Sequence, residues 1–224
     1  MTGGEGPEGA GSERGSAENE PMTDTPPISR FPVPALEELP DDIRERIETV
    51  AEKTGFIPNV FLGLAHRPAE WRAFFAYQDA LMDRDAGLSQ ADRELIVVAT
   101  SAVNDCLYCV VAHGAIARIR ARNAIIADQV AVDWRKADLT ERQRAMLEFA
   151  VKLAARPAEV VEADLEGLRE HGFSDDDIWD IGSITALFAL SNRLAHLSAL
   201  RPNDEFYLMG RVPREVLLQV KGSA

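Results

Sequence analysis

The sequence predicts an all-α fold. Three observations carry this reading: apolar segments open on Ser or Thr capping signatures, they close on Gly and Pro stop signals, and no segment alternates apolar and polar residues as a strand or hairpin would. A bundle of helices around one core is the architecture such a pattern builds.

The elements follow in chain order. Residues 1–29 are rich in Gly, Ser, Pro and Glu and nearly free of large apolar side chains. Glu5, Glu8, Glu13, Glu18, Glu20 and Asp24 face a single base, Arg14. Such a segment buries too little surface to offset its ordering entropy, so it is expected to be a disordered acidic tail. Residues 30–224 are expected to form one helical domain, a length ordinary for a single domain. Arg30 to Pro40 mixes proline with apolar residues and should run extended along the body. A helix follows from Asp41 or Asp42 to Thr54, stopped by Gly55 and Pro58. Asn59 to Ala65 is a short apolar helix. Pro68 to Asp83 is a longer one, with Trp71, Phe74, Phe75, Leu81 and Met82 on its buried side.

Ser89 with Asp92 has the spacing of a capping box and starts a helix to Val103. Asn104-Asp105 breaks it and offers the next N-cap, for a helix from Cys106 to Asn123. Thr140 with Gln143 repeats the box and starts a helix to Arg156. Further helices are expected over Val160–His171, Asp175–Leu200 and Asn203–Met209. Leu88-Ser89 with Arg93, Ile96 and Ala99 matches Leu139-Thr140 with Arg144, Leu147 and Ala150 at a constant offset. Either a duplicated unit or two helices under the same capping rules gives that match.

Composition excludes several functions. A formal net charge of −13 repels phosphate backbones and anionic membrane surfaces, so neither nucleic acid nor membrane is an expected partner. No apolar run reaches the ~18 residues of a membrane-spanning helix, and no basic region followed by an apolar run marks a secretory signal. A cytoplasmic location is expected. There is no Gly-rich phosphate loop, no G-x-S-x-G and no H-E-x-x-H.

The chain has two cysteines, Cys106 and Cys109. In a reducing compartment so short a pair makes a poor structural staple and a plausible reactive one. On a helix Cys106, Cys109 and His113 share a face, so the sulfurs can meet and the imidazole can approach Cys109. Only a thiolate is nucleophilic. Cys106, at the start of the helix, gains from the dipole, and His113 can exchange a proton with Cys109. An oxidised sulfur then condenses with its neighbour to a disulfide. Glu94 is an acid in an apolar run. It reaches this pair only if the chain folds back at Asn104-Asp105, and otherwise it is a salt-bridged or surface residue, with Arg93 as one partner.

Glu94, eleven residues, Cys106-Leu107-Tyr108-Cys109, three residues and His113 reproduce the E-x11-C-x-x-C-x3-H pattern of the AhpD-like alkylhydroperoxidases. These belong to the carboxymuconolactone decarboxylase superfamily. Gly55 to Phe61, Leu64-Ala65, Arg67-Pro68, Arg144 to Leu147, Ala150 to Leu153, Gly172 to Asp175 and Asn192 to Ala195 resemble its peroxidase-related branch. The resemblance implies an AhpD-like helical bundle that associates as a trimer or a dimer-based hexamer. It implies a thiol peroxidase acting on hydrogen peroxide or an alkyl hydroperoxide and restored by a dithiol donor that the sequence does not identify. In that family order Cys109 meets the peroxide, Cys106 resolves it, and His113 and Glu94 relay protons. Tyr108 departs from the histidine often found before the second cysteine, and a phenol does not act as a base near neutral pH.

No cofactor or metal is expected. Cys106, Cys109 and His113 are suitable zinc ligands, but His66, His171 and His196 supply no second ligand pair in sequence. His196 is either a pocket residue or an ordinary helix histidine. Trp71, Trp134 and Trp179 read as packing residues, and Arg118, Arg120 and Arg122 as surface partners of nearby carboxylates. Two other functions fit the same chain: a redox-responsive regulatory protein using the same disulfide, and a carboxymuconolactone-decarboxylase-like lyase, against which the cysteine pair counts.

Overall fold

The computed structural model describes residues 27–84, 87–213 and 215–216. Most of the expected tail therefore lies outside the described residues. Its last residues, Ile28 and Ser29, are tied to the body: the Ile28 carbonyl accepts from the Arg201 amide, and the neighbouring Arg30 amide donates to the Ser198 carbonyl.

Ten α-helices and no strand occur among the described residues: α1 Asp41–Thr54, α2 Asn59–Gly63, α3 Pro68–Met82, α4 Gln90–Val103, α5 Leu107–Ala121, α6 Ile126–Asp133, α7 Glu141–Ala155, α8 Glu162–Glu170, α9 Asp175–Ser198 and α10 Glu205–Leu208. The capping boxes of Ser89/Asp92 and Thr140/Gln143 both form, and Ser174/Asp177 makes a third at the start of α9. Gly55 closes α1 in the left-handed region at φ 88°. There a side chain would clash with its own backbone.

α4 is the central element. It packs against α5, α6, α7 and α9, and Asp92 to Ser101 are buried without interruption. A helix covered on every side cannot be amphipathic, so its charged residues need partners inside the protein. Arg93 is fully buried, with its guanidinium on the Asp180 carboxylate at 2.9 Å and on the Leu81 carbonyl at 2.7 Å. Arg93 is thus not the partner of Glu94. α4 and α7, the two halves of the internal match, lie side by side, and Gln143 donates to Asp92 at 2.9 Å, joining their capping boxes.

A second, smaller core forms from Leu39, Ile43, Ile47, Ala65, Trp71 and Phe75 on the N-terminal elements. Asn59 latches α2 to the far end of the chain: its amide nitrogen donates to the Arg201 carbonyl, while Asn203 bonds the Asn59 amide and the Ile57 carbonyl.

One element was not foreseen and two expectations need correction. Residues 126–133 are helical, although no polar N-cap marks the start. Arg118 does not pair with a surface carboxylate. It is buried, and its guanidinium satisfies the Phe206 and Met209 carbonyls at α10. Trp71 and Trp134 are packed as expected, but Trp179 is 74% exposed.

Candidate active site

The turn between α4 and α5 sets the position of the cysteine pair. The Asp105 amide donates to the Ala102 carbonyl and the Cys106 amide to the Ser101 carbonyl, with Asp105 at φ 52°. This is the Schellman arrangement, in which one left-handed residue reverses the chain and satisfies the last helical carbonyls. The chain does fold back here, as the placement of Glu94 requires. The N-cap of α5 is Cys106 itself rather than Asn104 or Asp105.

The fold-back brings Glu94 to His113: carboxylate Oε2 and imidazole Nδ1 are 2.7 Å apart, with both side chains largely buried. The His113 ring also meets Phe188 edge-on at 4.6 Å. Nδ1 is thereby engaged, and the hydroxyl beside Cys109 Sγ belongs to Ser191, at 3.6 Å, on α9. Ser191 thus joins the residues around Cys109.

Both cysteines are free and about 1% exposed. Their acidities separate. The Cys109 thiol beside it, the Cys109 amide, His196 and Asn192 together outweigh burial and bring Cys106 down to about 6. The Cys106 thiolate and burial push Cys109 well up. A pair arranged in this way holds one thiolate and one thiol near neutral pH, the combination that thiol oxidation followed by condensation requires.

A polar network from α4 and α9 surrounds the sulfurs. Asn192 donates to Ser101 at 3.0 Å and accepts from Asn104 at 2.9 Å, and the Asn104 carbonyl meets His196 Nε2 at 2.8 Å. Sequence reasoning did not single out Ser101 and Ser191, and it read Asn104 only as a helix break. The only signal was the family-like segment beginning at Asn192. Cys106 lines a cleft of about 280 Å³ with Arg30, Asp105, Leu107, Tyr108 and His196 among its walls. Tyr108 is structural: its hydroxyl accepts from the Val60 amide at 3.0 Å, and burial raises its phenol above the usual range. No group of three or more His, Cys, Asp or Glu side chains able to hold a metal occurs among the described residues.

Comparison with known proteins matches this arrangement to a family. A peroxidase-related protein with an alkylhydroperoxidase AhpD core, from Ralstonia eutropha JMP134, superimposes with a TM-score of 0.83 at 65% identity, over 84% of this chain and 100% of its own. The chain belongs to the AhpD-like proteins of the carboxymuconolactone decarboxylase superfamily. The pattern of the carboxymuconolactone decarboxylase family matches residues 68–124, which include Glu94, Cys106, Cys109 and His113. A peroxidase-related protein from Silicibacter sp. TM1040 superimposes with a TM-score of 0.80 at 39% identity, over 85% of this chain and 100% of its own. The debrominase Bmp8 shares the fold, with a TM-score of 0.67 at 18% identity, over 82% of this chain and 95% of its own. A search of curated proteins gives no match.

Proposed function

We propose that this AhpD-like protein is a thiol-dependent peroxidase for hydrogen peroxide or alkyl hydroperoxides. The observation that carries the reading is the cysteine pair at the start of α5, with the buried Glu94–His113 pair reaching the same helix and Cys106 lining a cleft. The Cys106 thiolate attacks the hydroxyl oxygen of the hydroperoxide, the O–O bond breaks, and Cys106 becomes a sulfenic acid. The Cys109 sulfur then displaces water from it and the Cys106–Cys109 disulfide forms. A small dithiol reduces the disulfide by exchange and leaves as its own disulfide. The proton that Cys109 loses passes by way of the buried Glu94–His113 pair to the departing hydroxyl, which leaves as water.

This order reverses the one implied by family resemblance. Cleft access and thiolate character both support Cys106 as the first nucleophile. The protein is further proposed to act as a homo-oligomer in the cytoplasm. Among the described residues no helix is long and apolar enough to cross a membrane.

Peroxide consumption with reduced lipoamide tests the reading on wild type, Cys106→Ser and Cys109→Ser. Turnover is expected in wild type and in neither variant. With a sulfenic-acid trap, Cys109→Ser accumulates the adduct on Cys106 and Cys106→Ser forms none. An adduct confined to Cys109 in the Cys106→Ser variant would restore the family order. A wild type oxidised only once, with a change of assembly and no turnover, replaces the peroxidase with a redox-responsive protein.

A further inference from the structure

Cys106 shares its cleft with an imidazole, that of His196. His196 lies on α9, beyond the span matched by the family pattern, and lines the cleft with Cys106. Its Nε2 is 2.8 Å from the Asn104 carbonyl. A carbonyl only accepts, so Nε2 carries a hydrogen in every protonation state and Nδ1 is left to exchange protons. That carbonyl ends α4, where the partial negative charge of a helix C-terminus favours a cation. Asn104 is itself fixed through Asn192 to Ser101, so the ring is anchored to the network around the sulfurs. His113 does not line this cleft, and its Nδ1 is engaged by Glu94.

The other charged or titratable groups on the cleft are Arg30 from the N-terminal strap, Asp105 from the α4–α5 turn and Tyr108 from α5. On α9 itself Arg193 is turned to the Ala189 carbonyl. Among these side-chain types a guanidinium does not serve as an acid and a carboxylate has no proton to give, and the Tyr108 hydroxyl is held by the Val60 amide. Only the imidazole can both carry and release a proton there.

We propose that His196 is the acid of peroxide reduction, its Nδ1 proton passing to the oxygen that leaves when Cys106 attacks. The inference rests on the peroxidase reading. The S–O bond forms to the hydroxyl oxygen as the O–O bond breaks. Sulfur gives up two electrons and the peroxide takes them. The departing alkoxide collects the imidazolium proton and leaves as the alcohol, and solvent reprotonates the ring. In the resting protein the same positive charge helps hold Cys106 as the thiolate.

The test uses His196→Gln, whose amide N–H can still reach the Asn104 carbonyl, with His196→Asn as a second variant if the first fails to fold. Single-turnover oxidation is followed with tert-butyl hydroperoxide and with peracetic acid. The alkoxide needs a proton to depart and the acetate does not. The expected loss is about 100-fold with the alkyl hydroperoxide and several-fold at most with the peracid. Equal losses with both oxidants, or none, overturn the assignment. In parallel, the pH midpoint of Cys106 alkylation by iodoacetamide, which needs no peroxidase activity, is expected to rise in the variant. If wild type resists both oxidants the peroxidase reading fails, and an unmoved alkylation midpoint then removes the pairing of His196 with Cys106 as well.

Discussion

Arg93 and Glu94 are neighbours in the chain and both are buried in α4, yet they serve different ends. Arg93 projects to Asp180 and holds the bundle together, while Glu94 projects to His113 and belongs to the site. Asp180 also accepts from Arg84 at 3.0 Å, so its removal leaves Arg93 as a buried, uncompensated charge. Asp180→Ala is expected to cost about 3–5 kcal/mol, read from the shift in a urea unfolding midpoint. Replacing Glu94 by Gln keeps a hydrogen-bond acceptor for His113 but removes its charge. The variant should unfold near the wild-type midpoint while peroxide turnover falls about 100-fold. For Cys106 the sign follows from its raised acidity: the thiolate persists above about 6 and is lost as pH falls through that value. Its oxidation rate should therefore rise through pH 6 and level off well below the range of an ordinary thiol. The motif residues were legible because each lies within one local pattern. Asp180, Ser191 and Asn192 were not, because α9 meets α4 only after some eighty residues of intervening chain.

Helix ends explain much of the site at the next scale. The non-glycine residues with positive φ among the described residues are Asp105, Arg122 and Ala199. Each closes a helix in the same way, since the Arg122 and Asn123 amides donate to Ile119 and Arg118, and those of Ala199 and Leu200 to His196 and Ala195. Two of these turns, at Asp105 and Ala199, line the cleft that holds Cys106. Left-handed backbone is unfavourable for a residue with a Cβ, so this strain is concentrated beside the thiolate. Ala199 is exposed and carries only a methyl group there. Ala199→Gly should stabilise the fold by roughly 0.5–1 kcal/mol, measured by thermal or urea unfolding, with the pH midpoint of Cys106 alkylation unchanged. Helix starts were readable where Ser or Thr stood three residues before an acid or Gln. The start of α6 was not, since its N-cap, Ile125, offers no side-chain acceptor. The end of α4 was readable from Asn104-Asp105, and the helix stops at Val103 as expected. The turns at Arg122 and Ala199 carry no glycine, and their hydrogen bonds are all backbone, so their left-handed residues leave no mark in the sequence.

At the scale of the whole molecule the charge and the surface point in different directions. A net charge of −13 opposes indiscriminate association, yet Trp179 stands 74% exposed on α9 and Tyr77 on α3 is 48% exposed. Between them runs an apolar groove of about 630 Å³, with Phe149, Leu153, Leu165 and Ile178 in its walls. An aromatic ring of that size beside an apolar groove is what a subunit contact would bury. The sequence suggested Trp179 as a packing residue. Within the chain that suggestion fails, because composition and periodicity do not encode which apolar side chains stay in water. The proposed homo-oligomer gives the ring its partner. Trp179→Glu then places a charge at the centre of the contact and adds like charges across any symmetric interface. Light scattering after size exclusion should report the 24.6 kDa monomer for the variant and a multiple of it for wild type. Because the ring is mostly in water within one chain, the variant's intrachain packing should change little, within about 0.5 kcal/mol. Wild-type protein that already runs as a monomer, or a variant that keeps the wild-type mass, would remove α9 from the assembly and leave its exposed tryptophan without this explanation.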